Sequence, residues 1–470
     1  MARKMRPIPS STLRRDKPVL NALPKNDLAS QALDHCIFPI IDAADVKRDG
    51  PVVIASGKGM TITDGSGVDY LDMISAYTRA NSLGYGNEEI AKAVYDQLCK
   101  MHYAGTVSMV TEPMVQLAKS LSELRPDAGL SRAFFVSGGS EAVESAIKIA
   151  KQYQIGSGKK PHAYKIIARW SAYHGATAGA MALTDHLSVA QTPDPRMPGV
   201  SKIPNPTCYR NPFGMGDEEY AMFCADYLEQ QIIHEGPELV AAFIGEPLMQ
   251  ANGAQVPSKA YWQRVREICD KYGVLLIIDE VICCFGRTGK WFAAEHFDVM
   301  PDITTMAKAL SAGYAPIGAV LTRPDIADAI DHFRHVHTFS GHAGCAAAAN
   351  AVIAIKQRER LIPKALENGV YFKAGLVEAL GEMPAVGDIR GLGHWHAVDF
   401  TSNRKTKALP DPKMVKGIAE KMRSLGVLVG AAGTAIEVAP ALIASHADFD
   451  RTVAAFKQAI ESVSKDYDIA

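Results

Sequence analysis

The sequence predicts an α/β protein: a large domain on a mainly parallel sheet with helices on both faces, then a smaller α+β domain. Two observations predict it. Short apolar runs recur between residues 132 and 323 with helical stretches between several of them. After about residue 344 the texture changes to long helices around one strand-like segment, GHWHAVDF. Strands of a parallel sheet covered on both faces read as near-continuous apolar runs, and ligands bind at their carboxyl ends.

At 470 residues the chain exceeds one simple core and calls for two domains. Hydrophobic residues make up 47% and charged residues 21%, and 50 Lys and Arg stand against 51 Asp and Glu. That balance gives no field directed at nucleic acid or at a membrane surface. No apolar run reaches the ~20 residues of a membrane span. The first 17 residues, MARKMRPIPSSTLRRDK, are basic without the apolar core of a secretory signal. They read as a poorly ordered arm interrupted by Pro7 and Pro9, with an organelle transit peptide as the alternative. Eight scattered cysteines form no CxxC pair and no zinc spacing, so no metal site is expected. They read as reduced thiols of a cytoplasmic protein, with Cys283-Cys284 as adjacent strand residues facing opposite ways.

In chain order, GMTITDGSGVDYLD (59 to 72) reads as a hairpin turning at Asp64-Gly65-Ser66-Gly67. A phosphate loop in SGKGMTITDGSG is the rival reading, and no helix follows it. EEIAKAVYDQLCK and EPMVQLAKSLSEL are helical. The apolar runs are RAFFVS (132 to 137), YKIIAR (164 to 169), LVAAFIGE (239 to 246), VLLIIDEV (274 to 281) and IGAVLTR (317 to 323). SEAVESAIKIAKQY and SKAYWQRVREICDKYG are helices between them. TVAAFKQAIESVSKDY closes the chain as an amphipathic helix.

Three segments carry chemistry. In FFVSGGSEAVESAIK, a strand runs through Ser137-Gly138-Gly139-Ser140 into a helix, whose free N–H groups favour an anion. An ordinary turn with Ser140 as N-cap is the plain alternative. In LLIIDEVICCFGRTG, Asp279 leaves a buried strand, where a carboxylate suits a cation or a protonated ring nitrogen. A solvated acid or a metal ligand are the alternatives, and its neighbours offer no second ligand. In DITTMAKALSAGYAPIG, Lys308 sits among small apolar residues, where a lysine loses its charge more easily and becomes a nucleophilic amine; a snorkelling surface lysine is the plain alternative. An anion site, an acid for a ring nitrogen and a lysine amine together describe a site for pyridoxal 5'-phosphate, carried by lysine as a Schiff base.

From about residue 30 onward the chain resembles the class III aminotransferases, or ω-transaminases. SGGSEAVESAIK resembles the family's phosphate turn, which implies phosphate contacts from Gly138, Gly139 and Ser140. AYHG resembles its Tyr-His-Gly segment, with Tyr173 stacked on the ring and His174 beside it. GEP, IIDEVICCFGRTG and MAKALSAGYAPIGAV resemble further family segments, which implies Glu246 near the cofactor, Asp279 as the ring-nitrogen acid with Val281 on the opposite ring face, and Lys308 as the catalytic lysine. HTFSGH resembles a loop that places the partner subunit's Thr338 in the phosphate site, implying a homodimer with shared sites. The resemblance implies the pyridoxal-phosphate fold of type I, divided into residues 1–70 packing with the small domain, a large domain 71–343 and a small domain 344–470.

The chain departs from the family pattern at three places. Ser-Gly-Gly-Ser stands for Asn-Ser-Gly-Thr, and Cys283-Cys284 replaces Thr or Ser then Gly. In TAIEVAPALIA, Glu437 falls where relatives that use α-keto acids carry an arginine for the substrate carboxylate. Transfer from an amine or ω-amino acid to a carbonyl acceptor is the leading expectation. A carboxylate at that place would repel an anionic acceptor. Arg79 serving as the clamp, Glu437 serving as counter-ion to an amine, or an aminomutase, racemase, decarboxylase or lyase activity are the ways out. Glu437 paired with a neighbouring base and remote from substrate is the plain reading, and a non-catalytic binding protein is the alternative from another class.

Overall fold

The structure is a computed structural model that describes residues 25–186, 196–207, 209–251 and 253–469. The basic arm of residues 1–17 and Cys208 lie outside the described residues. Packing divides the chain into two units, residues 1–55 with 63–68 and residues 56–62 with 69–470. The described part of the first holds helices Lys25–His35 and Ala43–Asp49, the second capped by the Asp42 carboxylate accepting from the Ala44 N–H. It also holds the tip of the hairpin. There Asp64 Oδ1 accepts from the N–H groups of Ser66 at 2.9 Å and Val68 at 3.0 Å, so the Asp-Gly-Ser-Gly turn forms as its sequence demands.

Strands β1 (Ile54–Lys58), β2 (Thr61–Asp64) and β3 (Asp69–Asp72) precede the central sheet. That sheet consists of β4 (Arg132–Val136), β5 (Lys165–Arg169), β6 (Val200–Ile203), β7 (Val240–Gly245), β8 (Leu275–Asp279), β9 (Ile303–Met306) and β10 (Gly318–Thr322) in the order β4-β10-β9-β8-β7-β5-β6. Its pairs are parallel from β6 through β5, β7 and β8 to β9, while β10 runs antiparallel to both β9 and β4. The sheet is therefore mixed and mainly parallel, as expected. β4, antiparallel to β10, shares the direction of the parallel set. The carboxyl ends of β4, β5, β7, β8 and β9 thus lie on one edge.

Both faces are buried. Helix Gly139–Gly156 lays Ala142, Val143, Ala146 and Ala150 against Ile166, Ala168, Ile244 and Ile277. Helices Asp217–Glu235 and Lys259–Tyr272 cover Ile167, Phe243, Leu276 and Ile278 on the other face. Alternation of neighbouring residues between the two clusters is the period-2 signature of a strand, and it is invisible in an all-apolar run. Cys283 and Cys284 do not continue β8, as their apolar context led us to expect. The strand stops at Asp279 and both thiols are free in the turn that follows.

The C-terminal part builds a second, antiparallel sheet from β11 (Val386–Leu392), β12 (Trp395–Phe400), β14 (Gly430–Ala432) and β15 (Ala435–Val438), in the order β11-β12-β15-β14. The short β13 (Val427–Leu428) pairs in parallel with β3. Glu437 lies in β15 between Ala397 of β12 and Gly430 of β14. Helices Leu361–Leu380, Pro412–Ser424 and His446–Val463 pack on this sheet through Phe372, Ile418 and Phe456.

Helix Leu361–Leu380 approaches the β11–β12 turn of the same C-terminal sheet at Gly369, where a Cβ would stand 2.3 Å from the Gly393 carbonyl oxygen. Backbone cannot yield cheaply there, so Gly369→Ala is expected to cost about 1–3 kcal/mol, read as a lower urea midpoint at unchanged slope. An unchanged midpoint would show that the helix does not rest on that carbonyl.

Candidate active site

The shared carboxyl edge opens into a cavity of about 170 Å³. Each strand delivers one element to it. β4 turns through Gly138 into helix Gly139–Gly156, β5 leads to Tyr173 and His174, β7 to Glu246, β8 ends in Asp279, and β9 is followed by Lys308. Gly139, Ser140, Tyr173, His174, Glu246, Asp279, Val281 and Lys308 all line the cavity. Gly175 of the AYHG segment and Cys283 of the altered Cys283-Cys284 pair line it too, with Leu248 and Ile282, which no chemical signal in the sequence marked. Gly138 is the N-cap behind the wall, its carbonyl accepting from the Ala142 N–H at 3.0 Å. Thr338 is exposed and its carbonyl accepts from the Tyr103 hydroxyl at 2.8 Å, away from this chain's own cavity. Arg79 and Glu437 do not line the cavity; they pair with each other.

Asp279 is nearly fully buried and held on three sides. Its Oδ1 accepts from Thr305 Oγ1 at 2.9 Å and the Val281 N–H at 3.1 Å, and its Oδ2 lies 2.7 Å from His174 Nδ1. A carboxylate can only accept, so Nδ1 carries the proton and His174 Nε2 is left buried without a partner. Oδ2 keeps one lone pair free for a further donor. Thr305 faces Asp279 in the β8–β9 register, a contact that sequence reading has no means to see.

Lys308 opens a short turn with φ 46, a left-handed conformation that lysine rarely adopts. Its amine has no hydrogen-bond partner among the described residues. Burial pushes its pKa down to about 8, against the pull of the Asp279 charge, and Arg79 lowers it further. Burial pushes the Glu246 carboxyl up, with Arg169 and His174 opposing, and its Oε2 lacks a hydrogen-bond partner. The first turn of helix Gly139–Gly156 presents N–H groups with no intrahelical acceptor to the same cavity.

Residues 43–460 match the family model of the class-III aminotransferases. The chain belongs to this family. A probable aminotransferase of Mycobacterium tuberculosis is 37% identical over 433 residues, covering 88% of this chain and 91% of that one. The taurine–pyruvate aminotransferase of Bilophila wadsworthia is 35% identical across 90% and 94% of the two chains. Among solved structures, the (S)-enantioselective ω-transaminase of Thermomicrobium roseum superposes with a TM-score of 0.89 at 34% identity, across 94% of this chain and 99% of that one. The ω-transaminase of Pseudomonas jessenii, in complex with PMP, does so at 0.89 and 32% identity over 93% and 98%. This class III aminotransferase thus has the type I pyridoxal-phosphate fold, uses pyridoxal 5'-phosphate, and transfers an amino group to a carbonyl acceptor. The aminomutase, racemase, decarboxylase and lyase readings gain no better support, and a non-catalytic role is set aside.

The residues present fit that cofactor. A Cβ at Gly139 would stand 2.8 Å from Val281 Cγ1, and one at Gly175 2.4 Å from Ser140 Oγ, so side chains there would displace the cavity's walls. The unpartnered Lys308 amine, the free lone pair on Asp279 and the helix N-terminus supply an amine, a ring-nitrogen acceptor and an anion site within one space.

The lowered pKa fixes a pH dependence. An ordinary lysine is less than about 1% neutral at pH 8, whereas Lys308 is near half neutral at its pKa of about 8. The rate at which apoprotein takes up pyridoxal phosphate should therefore rise with pH and level off above about 8. A rise that continues toward 10.5 would contradict the desolvated amine. The folded pKa lies below the unfolded one, so the folded state holds fewer protons between these values. Stability from this group then grows with pH across that window and is lost as pH falls through about 8.

Proposed function

We propose that Lys308 anchors the cofactor and acts as the acid–base group of an aminotransferase that uses ω-amino donors and a short α-keto acid, working as a cytoplasmic homodimer. One observation carries this reading: a desolvated, unpartnered amine shares a buried cavity with Asp279 and a helix N-terminus. Curated relatives are named for taurine and pyruvate and for putrescine and pyruvate, which favours pyruvate as acceptor.

When bound, pyridoxal phosphate supplies an electron sink for the pair left on the substrate carbon. Neutral Lys308 Nζ takes the proton from the donor's amine-bearing carbon and returns one to the acceptor's carbonyl carbon in the second half-reaction. Asp279, oriented by Thr305 and His174, would accept the ring nitrogen's proton-bearing edge through Oδ2. Ser140, Gly139 and the helix N-terminus would hold the phosphate, and the Tyr173 and Val281 side chains would enclose the ring faces. Burial raises the Glu246 carboxyl, with His174 and Arg169 opposing, so its anionic form is disfavoured beside the cofactor site.

A cluster of exposed apolar side chains supports the dimer. Val107, Met109, Val110, Val336 and Phe339 are all exposed, and the Tyr103 ring meets Phe339 edge-on at 6.1 Å. A monomer rarely leaves such a surface to water. The seven described cysteines are free, as suits a reducing compartment.

Purified protein should show the visible absorption band of the bound cofactor. Lys308→Ala should lose the band on dialysis and lose about 10²–10⁴-fold in turnover with pyruvate. Retention of both would remove Lys308 from the role. The shared site is tested by mixing two inactive proteins, Lys308→Ala and Thr338→Glu, under conditions that exchange subunits. A mixed dimer contains one site with Lys308 and the partner subunit's Thr338 both intact, so activity should return. Continued inactivity in a confirmed mixed dimer would place Thr338 outside the neighbour's site.

A further inference from the structure

Glu437 is fully buried in β15, and its carboxylate is answered from three directions. Oε2 accepts from Arg79 Nε at 3.0 Å, from the Arg79 terminal nitrogen Nη2, and from Trp395 Nε1 at 3.1 Å. Oε1 lies 3.5 Å from Gln250 Nε2. The acid therefore acts on the guanidinium and is not an open anion.

Arginine has five N–H donors. Arg79 spends Nε and one hydrogen of Nη2 on Glu437, and one hydrogen of Nη1 on the Tyr77 carbonyl at 3.0 Å. One hydrogen remains on each terminal nitrogen. Two donors of this kind match a planar or tetrahedral oxyanion.

The backbone that carries Arg79 is strained. Ser75, Ala76, Tyr77 and Arg79 all have positive φ, between 51 and 62, though none is glycine. Asp72 holds the turn through the N–H groups of Ile74 at 3.0 Å and Ala76 at 2.8 Å. Ser75 Oγ donates to the Ala439 carbonyl at 2.6 Å, and buried Arg287 donates to Ser75 Oγ and to the Arg79 carbonyl. Such conformations persist where surrounding structure over-determines them, and they aim a side chain. Ala80, next in the chain, comes within 3.9 Å of the Cβ position of Gly313, at the end of the Lys308 loop. The charge of Arg79 reaches the Lys308 amine, and both Arg79 and Glu437 act on His186, whose ring meets that of Tyr173 on the cavity wall at 6.3 Å.

We propose that Arg79, clamped by Glu437, is the anion-binding residue of the substrate site, and that the amine donor is an ω-amino acid whose far end is a carboxylate or a sulfonate. The assignment rests on the aminotransferase reading of the cavity. Arg79 cannot withdraw to admit an uncharged amine without leaving Glu437 buried and unpaired. An aliphatic amine leaves the two donors unsatisfied, and a diamine sets its second ammonium against the guanidinium.

The test is the first half-reaction of the loaded enzyme, followed by loss of its visible band with β-alanine, taurine, propylamine or 1,3-diaminopropane and no acceptor. Wild type should react with β-alanine or taurine at least about tenfold faster per mole than with propylamine, and the two anions compared directly separate carboxylate from sulfonate. Arg79→Gln should lower the ratio of anionic donor to propylamine by about 10- to 100-fold, the loss of one charge-assisted hydrogen bond or more. Should Arg79→Gln fail to fold, Arg79→Met combined with Glu437→Met removes both charges together and should show the same fall. A wild-type preference for propylamine or 1,3-diaminopropane, or a ratio unchanged in either variant, overturns the assignment. A wild-type band that no amine bleaches overturns the reading of the cavity, and the assignment falls with it.

Discussion

Lys308 holds an amine where water cannot solvate its charge, and much of the architecture follows from that constraint. The amine sits just beyond β9, one strand over from Asp279 at the end of β8, so the Asp279 charge pulls against its desolvation while the Arg79 charge adds to it. Lys356 ties down the turn that Lys308 opens. That side chain is fully buried, lies over the Phe285 ring at 5.5 Å, and donates to the Ala309 carbonyl at 2.9 Å. Burial pushes the Lys356 pKa to about 7, so the prop adds little permanent charge to the site. A hydrogen bond to a carbonyl survives loss of that proton, because the neutral amine still donates.

The same desolvation governs the acids. Asp279 accepts from Thr305, the Val281 N–H and His174, hydrogen bonds that offset the cost of its burial. Glu246 has one 3.4 Å bond from the Tyr173 N–H and a guanidinium 3.6 Å away, and burial dominates there. Two carboxyl groups on adjacent strands thus differ in how well they are hydrogen-bonded, three donors on Asp279 against one on Glu246.

Legibility from sequence followed locality. The phosphate turn, Asp279 and Lys308 were readable because each is a strand end followed by a distinctive residue, and the chain itself sets that geometry. β6 went unseen because VSKI is short, polar in part and at the sheet's edge. β11 and β14 went unseen for want of apolar residues in sequence. Cys283-Cys284 was misassigned to a strand because an apolar run does not reveal where pairing stops. Thr305 and Arg169, which hold the site's acids, become visible only once β-strand register brings them beside Asp279 and Glu246. The partner of Glu437 was the least accessible of all, since 358 residues separate it from Arg79.

That separation explains the problem posed by the acid in TAIEVAPALIA. Taken alone, a carboxylate in place of an arginine reverses the charge of an acceptor site. Taken with Arg79, it conserves a guanidinium and moves its origin from the C-terminal sheet to a loop beside the Lys308 turn. A buried ion pair is a poor source of stability, because desolvating both charges offsets their attraction and an apolar pair of similar volume does as well. The loop that carries Arg79 also holds four non-glycine residues at positive φ, which costs further. A stability argument therefore predicts that such a pair would be absent. What it supplies is direction: Glu437 consumes the inner donors of Arg79, and only the two on its terminal nitrogens are left to point elsewhere.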